Sequence, residues 1–176
     1  MVGNTAPYTV NEWEEDIKLA SKHGIDGFAL NVGREDWQIS QTEKCFDALR
    51  RYRSGQGQGQ GSEKREFKLF FSFDMSSIPS SCPEDINHLK AYIEKFATSE
   101  HYLRYEGRAL ISTFAGETSL FGCKDVDSAW CLVRSEVEEI CPIFFMPCFF
   151  IDPGLFPGMT CLDGAFNQYS EMETPD

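Results

Sequence analysis

Residues 67–74 read Phe-Lys-Leu-Phe-Phe-Ser-Phe-Asp, an almost uninterrupted apolar run that ends in a carboxylate. A strand that is apolar on both faces is typical of a parallel sheet covered by helices, because a sheet with one solvated face shows alternation instead. Similar runs recur along the chain. The ranges predicted as strands are 25–32, 67–73, 109–114, 143–149 and a short one at 162–166.

Amphipathic helices are predicted between these strands, because apolar side chains recur at helical spacing. In the first helix Trp13, Ile17 and Ala20 share one face, and Thr9 or Asn11 can cap its start. The predicted helices cover 9–23, 41–52, 83–98 and 126–140. Helices that alternate with buried strands leave two architectures, an open doubly wound sheet and a closed eightfold barrel.

The residues at the ends of the predicted strands favour the barrel. Each strand ends at or near a carboxylate or an amide, namely Asn31, Asp74, Glu117, Asp152 and Asn167. Barrel enzymes build their sites from the carboxyl ends of many strands, whereas an open sheet concentrates its site at one switch point. Any one of these residues could instead begin a loop or cap a helix. We predict a partial (β/α)8 TIM-like barrel of five to six βα units, with parallel strands, in one domain spanning residues 1–176.

Residues 55–66 read Gly-Gln-Gly-Gln-Gly-Gln-Gly-Ser-Glu-Lys-Arg-Glu, a low-complexity stretch. It lies between a predicted helix and the next strand, and it lacks the spacing of a dinucleotide-binding loop. The composition predicts a flexible surface insertion. An open-sheet protein that binds a phosphorylated ligand would need a glycine-rich loop after a strand, and the sequence shows none.

The net charge of −12 argues against nucleic acid and anionic lipid as partners. The longest apolar stretch, 143–151, contains Pro147 and is far shorter than the roughly 20 residues of a membrane-spanning helix. We therefore expect neither a nucleic acid partner nor a membrane. A neutral ligand such as a sugar is compatible with the acidic surface.

The seven cysteines are scattered and odd in number, so they cannot all pair within one chain. No Cys-x-x-Cys motif occurs, and the three histidines lie far from any cysteine pair, so no metal site and no cofactor are predicted. The chain begins without a basic and apolar leader, which predicts no secretory signal in these residues.

Several segments, taken together and in order, resemble fungal α-1,3-glucanases (mutanases), glycoside hydrolase family 71. They are Met-Val-Gly-Asn-Thr at 1–5, Trp-Glu-Glu-Asp-Ile-Lys-Leu-Ala at 13–20, Gly-Ile-Asp-Gly-Phe-Ala-Leu-Asn at 24–31, Phe-Lys-Leu-Phe-Phe-Ser-Phe-Asp-Met at 67–75 and Asp-Gly-Ala-Phe-Asn at 163–167. The resemblance implies a secreted (β/α)8 barrel that hydrolyses the polysaccharide α-1,3-glucan of fungal cell walls.

Glycoside hydrolysis requires two carboxyl groups, one as an acid and one as a base or nucleophile. Asp74 is the predicted acid/base or substrate-orienting residue, and Glu117 is the second carboxylate with a plausible reach. The predicted substrate-binding residues are Asn4, Asn31, Trp37, Asp163 and Asn167. The amides would hydrogen-bond to sugar hydroxyls, and Trp37, like Tyr8, could stack on a pyranose ring. Packing beneath the following helix is the alternative role for Trp37.

Three departures from the family pattern qualify the resemblance. The chain begins at the Met-Val-Gly-Asn segment, which in the family follows a signal peptide and a first strand. Gln168 stands where the family usually has Trp. The sequence also ends before the Asp-x-x-Glu segment expected to perform the chemistry. Residues 1–176 alone are therefore expected to be inactive, and the alternative is a pseudoenzyme or gene-model fragment that at most binds glucan.

Overall fold

The computed structural model of the chain describes residues 5–55 and 66–166. Helices and strands alternate along these residues. Their bounds are α1 Val10–Lys22, β1 Gly27–Val32, α2 Trp37–Gly55, β2 Lys68–Asp74, α3 Ile86–Phe96, β3 Arg104–Tyr105, β4 Arg108–Phe114, α4 Val126–Glu138 and β5 Ile143–Phe145. Short 3-10 turns span Pro83–Asp85 and Pro153–Gly158. The core of the low-complexity stretch, 56–65, lies outside the described residues.

Four of the strands form a parallel sheet in the order β1-β2-β4-β5. Each parallel strand pairs with the next parallel strand along the chain, so the order runs in one direction without reversing. A doubly wound sheet would contain a switch point where the order reverses. This arrangement confirms the predicted parallel α/β fold and corresponds to part of a barrel wall.

The hydrophobic core lies between the helices and one face of the sheet. Leu69, Phe71 and Phe73 of β2 are fully buried on this face. The ring of Phe71 lies 5.3 Å from that of Tyr92 in α3, measured between centroids. Burying an aromatic side chain of this size contributes about 2–3 kcal/mol relative to leaving it in water. The core thus fixes which way β2 faces, and Ser72 and Asp74 point to the opposite face.

The helix ends follow the capping signals in the sequence. Thr9 Oγ1 accepts a hydrogen bond from the Glu12 amide at 3.3 Å, and Glu12 Oε2 accepts one from the Thr9 amide at 2.7 Å. The hydrogen bonds from the backbone and side chain of Thr9 lower the pKa of Glu12. Asp125 caps α4 by accepting from the Ser128 amide at 2.7 Å.

The hairpin β3–β4 was not predicted. Its turn consists of Glu106 at φ 50° and Gly107 at φ 78°, the left-handed pair that tight hairpins require. The chain around β3 fills the gap between the amino ends of β2 and β4, where Leu110 donates to the Leu103 carbonyl at 3.0 Å. A two-residue strand is too short to show a hydrophobic pattern.

The predicted strand at 162–166 is wrong, since no strand is formed there within the described residues. The segment nevertheless lies along β5, because Asp163 donates to the Phe145 carbonyl at 2.9 Å and Phe166 donates to the Pro147 carbonyl at 2.8 Å. The donors are three residues apart and the acceptors are two apart, so a regular ladder cannot form. The β5 strand is also shorter than predicted, although Cys148 still bridges to Phe114.

A disulfide joins Cys131 of α4 to Cys161, in the segment that leads back to β5. The bond closes a loop with a sequence separation of 30 residues. In the chain-entropy treatment a loop of this size stabilises the folded state by about 3–4 kcal/mol. Among the described residues, Cys45, Cys82, Cys123, Cys141 and Cys148 are free thiols.

Candidate functional site

The carboxyl ends of β1, β2, β4 and β5 lie at one edge of the sheet, because the four strands are parallel. We call this edge, with the loops that follow these strands, the carboxyl edge. The helices of a barrel start from this edge, and its loops carry the reactive groups of barrel enzymes.

Asp74 is the last residue of β2 and is aligned with Phe114, the last residue of β4. Its Oδ1 accepts hydrogen bonds from the Ser76 amide at 3.1 Å and from the Ser76 hydroxyl at 2.5 Å. The side chain is partly exposed. Both bonds engage the same oxygen, so they orient the carboxylate.

Glu117 follows β4 on a backbone with unusual geometry. Ala115 has φ 58° and Gly116 has φ 117°, so two consecutive residues are left-handed. The Gly116 carbonyl accepts from Trp130 Nε1 at 2.9 Å, and a Cβ at Gly116 would lie 2.7 Å from the Trp130 ring. Such conformations persist only where the surroundings hold them, and they cluster at functional sites. The turn directs Glu117 towards the loop after β5, where its Oε2 accepts from the Phe150 amide at 3.3 Å.

Asn31 lies near the carboxyl end of β1, and Trp37 follows that strand. Asn31 is exposed and is aligned with Ser72, which is itself aligned with Ser112, so three polar residues form a row across the sheet. Trp37 begins α2 and is 42% exposed. Both side chains are exposed to solvent, and their sugar contacts stay predictions.

Asp163 occupies a different environment, towards the amino end of β4. One carboxylate oxygen pairs with Arg108 at 2.6 Å, and the other pairs with Arg134 and with the Phe145 amide, both at 2.9 Å. Burial opposes ionisation of this carboxyl, but the amide and the two guanidinium groups hold its pKa below the usual range. This network ties together β4, β5 and α4. The predicted sugar contact of Asp163 stays a prediction, and its oxygens are already engaged by the scaffold.

Two predicted substrate-binding residues and one predicted strand-end residue remain. Asn4 and Asn167 lie outside the described residues. Asp152 caps the turn Pro153–Gly158, because its Oδ1 accepts from the Gly154 amide at 2.7 Å. Asp152 therefore caps a turn, which is the alternative role stated for the strand-end residues.

Two contributors to the carboxyl edge were missed by the sequence reasoning. Ser76 was not considered as a partner of Asp74, although a serine two residues after an aspartate is a common turn signal. Phe150 was placed just beyond a predicted strand and was given no role. It is 45% exposed, whereas the adjacent Phe149 is buried.

One cluster of potential metal ligands occurs among the described residues, formed by Asp127, Cys131 and Cys161. Its two sulfur atoms form the disulfide, so they are not available as thiolate ligands. The Asp127 carboxylate is also engaged, accepting from the Thr160 amide at 2.8 Å.

Of the helices in residues 5–55 and 66–166, none combines the length and apolar composition needed to cross a membrane.

A family model and several curated proteins match the chain in sequence. The family model described as Glycosyl hydrolase family 71 matches residues 1–170. A glucan endo-1,3-alpha-glucosidase of Schizosaccharomyces pombe is 42% identical over 152 residues, which are 84% of this chain and 32% of that protein. A mutanase of Penicillium rubens is 29% identical over 119 residues, covering 67% of this chain and 23% of the mutanase. The chain thus spans a third or less of the length of these curated relatives.

Two solved structures share the fold at low sequence identity. The GH99 endo-alpha-mannosidase from Bacteroides thetaiotaomicron superposes with a TM-score of 0.63 at 13% identity, over 94% of this chain and 45% of that chain. A glycoside hydrolase-like protein superposes with a TM-score of 0.58 at 14% identity, over 91% of this chain and 50% of that chain. These matches confirm the predicted partial barrel.

Proposed function

Because the chain belongs to glycosyl hydrolase family 71, we propose that it supplies part of the catalytic barrel of an enzyme that hydrolyses α-1,3-glucan. The proposed reaction is the one that the printed names of its curated relatives describe. The observation that carries the proposal is the position of two carboxylates at the carboxyl ends of neighbouring strands. Asp74 ends β2, and Glu117 follows the end of β4.

Asp74 is proposed to act as the acid/base residue or to orient the substrate, since its carboxylate is anchored through one oxygen. Glu117 is proposed to face the same substrate from the next strand along the edge. Glycosidases need carboxyl groups on both sides of the bond that is cleaved. The family's Asp-x-x-Glu segment, where the complete protein carries it, would then share the chemistry with this edge. Asn31 and Trp37 are proposed sugar contacts, and Asp163 is not included in the proposed site.

A neutral polysaccharide suits the electrostatics of the chain. The net charge of −12 repels polyanions but does not affect the approach of an uncharged glucan. The disulfide between Cys131 and Cys161 supports secretion as the proposed localisation, because such bonds form and persist in oxidising compartments.

The proposal is tested with the complete gene product that contains these residues. The purified protein is incubated with insoluble α-1,3-glucan, with amylose as an α-1,4-glucan and with a β-1,3-glucan, and the released reducing ends are measured. We expect release from the α-1,3-glucan alone. Release from another glucan but not from α-1,3-glucan would contradict the proposal. Retention on α-1,3-glucan without release would instead support the alternative of a binding protein without activity.

A further inference from the structure

Phe150 is an exposed aromatic residue held in place at the carboxyl edge. Its side chain is 45% exposed, and its ring packs edge-on against Phe114, with centroids 5.2 Å apart and planes 75° apart. Phe114 ends β4 directly beside Asp74 of β2. The ring of Phe150 is therefore fixed by a residue that adjoins the proposed catalytic carboxylate.

The backbone of Phe150 is fixed as well. Its amide donates to Glu117 Oε2 at 3.3 Å, so the second carboxylate of the proposed site contacts the same residue. The preceding residue, Phe149, is buried in the core, and its ring packs at a tilt of 43° against Trp130, with centroids 5.5 Å apart. Phe149 thus anchors the segment, while the ring of Phe150 reaches solvent at a cost in hydrophobic free energy.

Two aromatic residues and two carboxylates end or follow the four parallel strands at the carboxyl edge. Trp37 follows β1, Asp74 ends β2, Glu117 follows β4 and Phe150 follows β5. In the strand order β1-β2-β4-β5, the strands that the two carboxylates end or follow therefore lie between the strands that Trp37 and Phe150 follow. A polymer lying along the edge could place a sugar unit on each ring and a glycosidic bond between the carboxylates.

We propose that the ring of Phe150 binds the apolar face of a pyranose unit of the α-glucan, on the opposite side of the carboxylates from Trp37. This inference rests on the proposed function and adds a substrate-binding residue to it. A pyranose presents axial C–H groups, which carry partial positive charge, to the negative face of an aromatic ring. The contact involves no charge, which matches a neutral substrate.

The test uses four variants of the complete gene product. Phe150→Ala removes the ring, Phe150→Leu keeps an apolar side chain without an aromatic face, and Phe150→Trp keeps the aromatic face. Tyr105→Ala is the matched control, because Tyr105 is 53% exposed and packs edge-on against Phe144 at 4.7 Å, but lies at the amino end of β4. The measurements are KM and kcat on soluble α-1,3-linked gluco-oligosaccharides, retention on insoluble α-1,3-glucan and thermal stability.

We expect Phe150→Ala and Phe150→Leu to raise KM about ten-fold with kcat changed much less, as for one lost aromatic contact. Phe150→Trp should retain the wild-type KM, and Tyr105→Ala should change neither parameter. An unchanged KM in a stable Phe150→Leu protein would overturn the inference and assign Phe150 to packing against another part of the molecule. The same conclusion would follow if Phe150→Ala lost stability and Phe150→Leu restored both stability and binding.

The inference and the proposed function fail in different ways. Wild-type protein that binds α-1,3-glucan without cleaving it would contradict hydrolysis, and retention of the Phe150 variants would then decide the stacking role. Wild-type protein that neither binds nor cleaves α-1,3-glucan would overturn both.

Discussion

Asp74 and Asp163 were both predicted to contact the substrate, but their carboxylates have different partners. Asp74 is partly exposed and is held by a neighbouring serine, whereas Asp163 is paired with two arginines. The position of Asp74 could be predicted because a strand end is a local feature of the sequence. The partners of Asp163 could not, because Arg108 and Arg134 are 55 and 29 residues away along the chain.

Replacing Asp163 with Asn should destabilise the fold, because two partly buried guanidinium groups would lose the carboxylate that they share and would keep only Glu106 and Glu138 as partners. We expect a loss of about 2 kcal/mol in the free energy of unfolding at neutral pH. The pKa of Asp163 is lowered in the folded state, so its contribution is present above the unfolded pKa of about 3.9 and is lost as the pH falls through the folded value. Urea denaturation at pH 7 and pH 3 checks this. A difference between wild type and variant that stays equal at both pH values would contradict it.

At the scale of elements, the helices and the longer strands follow from apolar spacing and capping residues. The prediction was wrong where an element depended on backbone conformation instead. Glu106 and Gly107 form a left-handed turn that creates β3, and the extra residue opposite β5 prevents a strand at 162–166. The turn that aims Glu117 belongs to the same class, since nothing in the apolar pattern marks Ala115 as left-handed.

Replacing Gly116 with Ala should disturb this turn. The residue has φ 117°, and the new Cβ would lie 2.7 Å from the Trp130 ring and 3.0 Å from the Phe149 ring. We expect a loss of about 3 kcal/mol in stability, from backbone strain and overpacking together. In the complete gene product, turnover should fall as Glu117 shifts.

Gly107→Ala is the control, because Gly107 has φ 78° but open space where its Cβ would be. It should cost only about 1 kcal/mol for the left-handed conformation. Equal losses of stability in the two variants, measured by chemical denaturation, would show that the contacts with Trp130 and Phe149 are unimportant.

At the scale of the molecule, the described strands form a barrel wall rather than a closed barrel. The outer edge of β1 is unpaired within the described part of the chain. Among the described residues, Leu19, Ile25 and Leu155 are large apolar side chains that are each at least half exposed. The assignment of residues 1–176 to one domain stays a prediction.

Residues 1–176 expressed alone should release no appreciable reducing sugar from α-1,3-glucan, because a barrel wall leaves strand edges and apolar side chains in water. We expect self-association, which size-exclusion chromatography with light scattering would detect. A soluble monomer that cleaves the glucan at the rate of the complete gene product would show that these residues are sufficient.

The central claim is that the carboxyl edge is the glucan site and that the arginine-bound carboxylate is part of the scaffold. The most direct measurement compares Asp74→Asn and Asp163→Asn in the complete gene product, recording turnover on α-1,3-glucan below the melting transition together with the melting temperature. Asp74→Asn should lose turnover by orders of magnitude with little change in melting temperature, while Asp163→Asn should melt earlier and keep its turnover. The reverse pattern, an active Asp74→Asn and a stable but inactive Asp163→Asn, would contradict the claim.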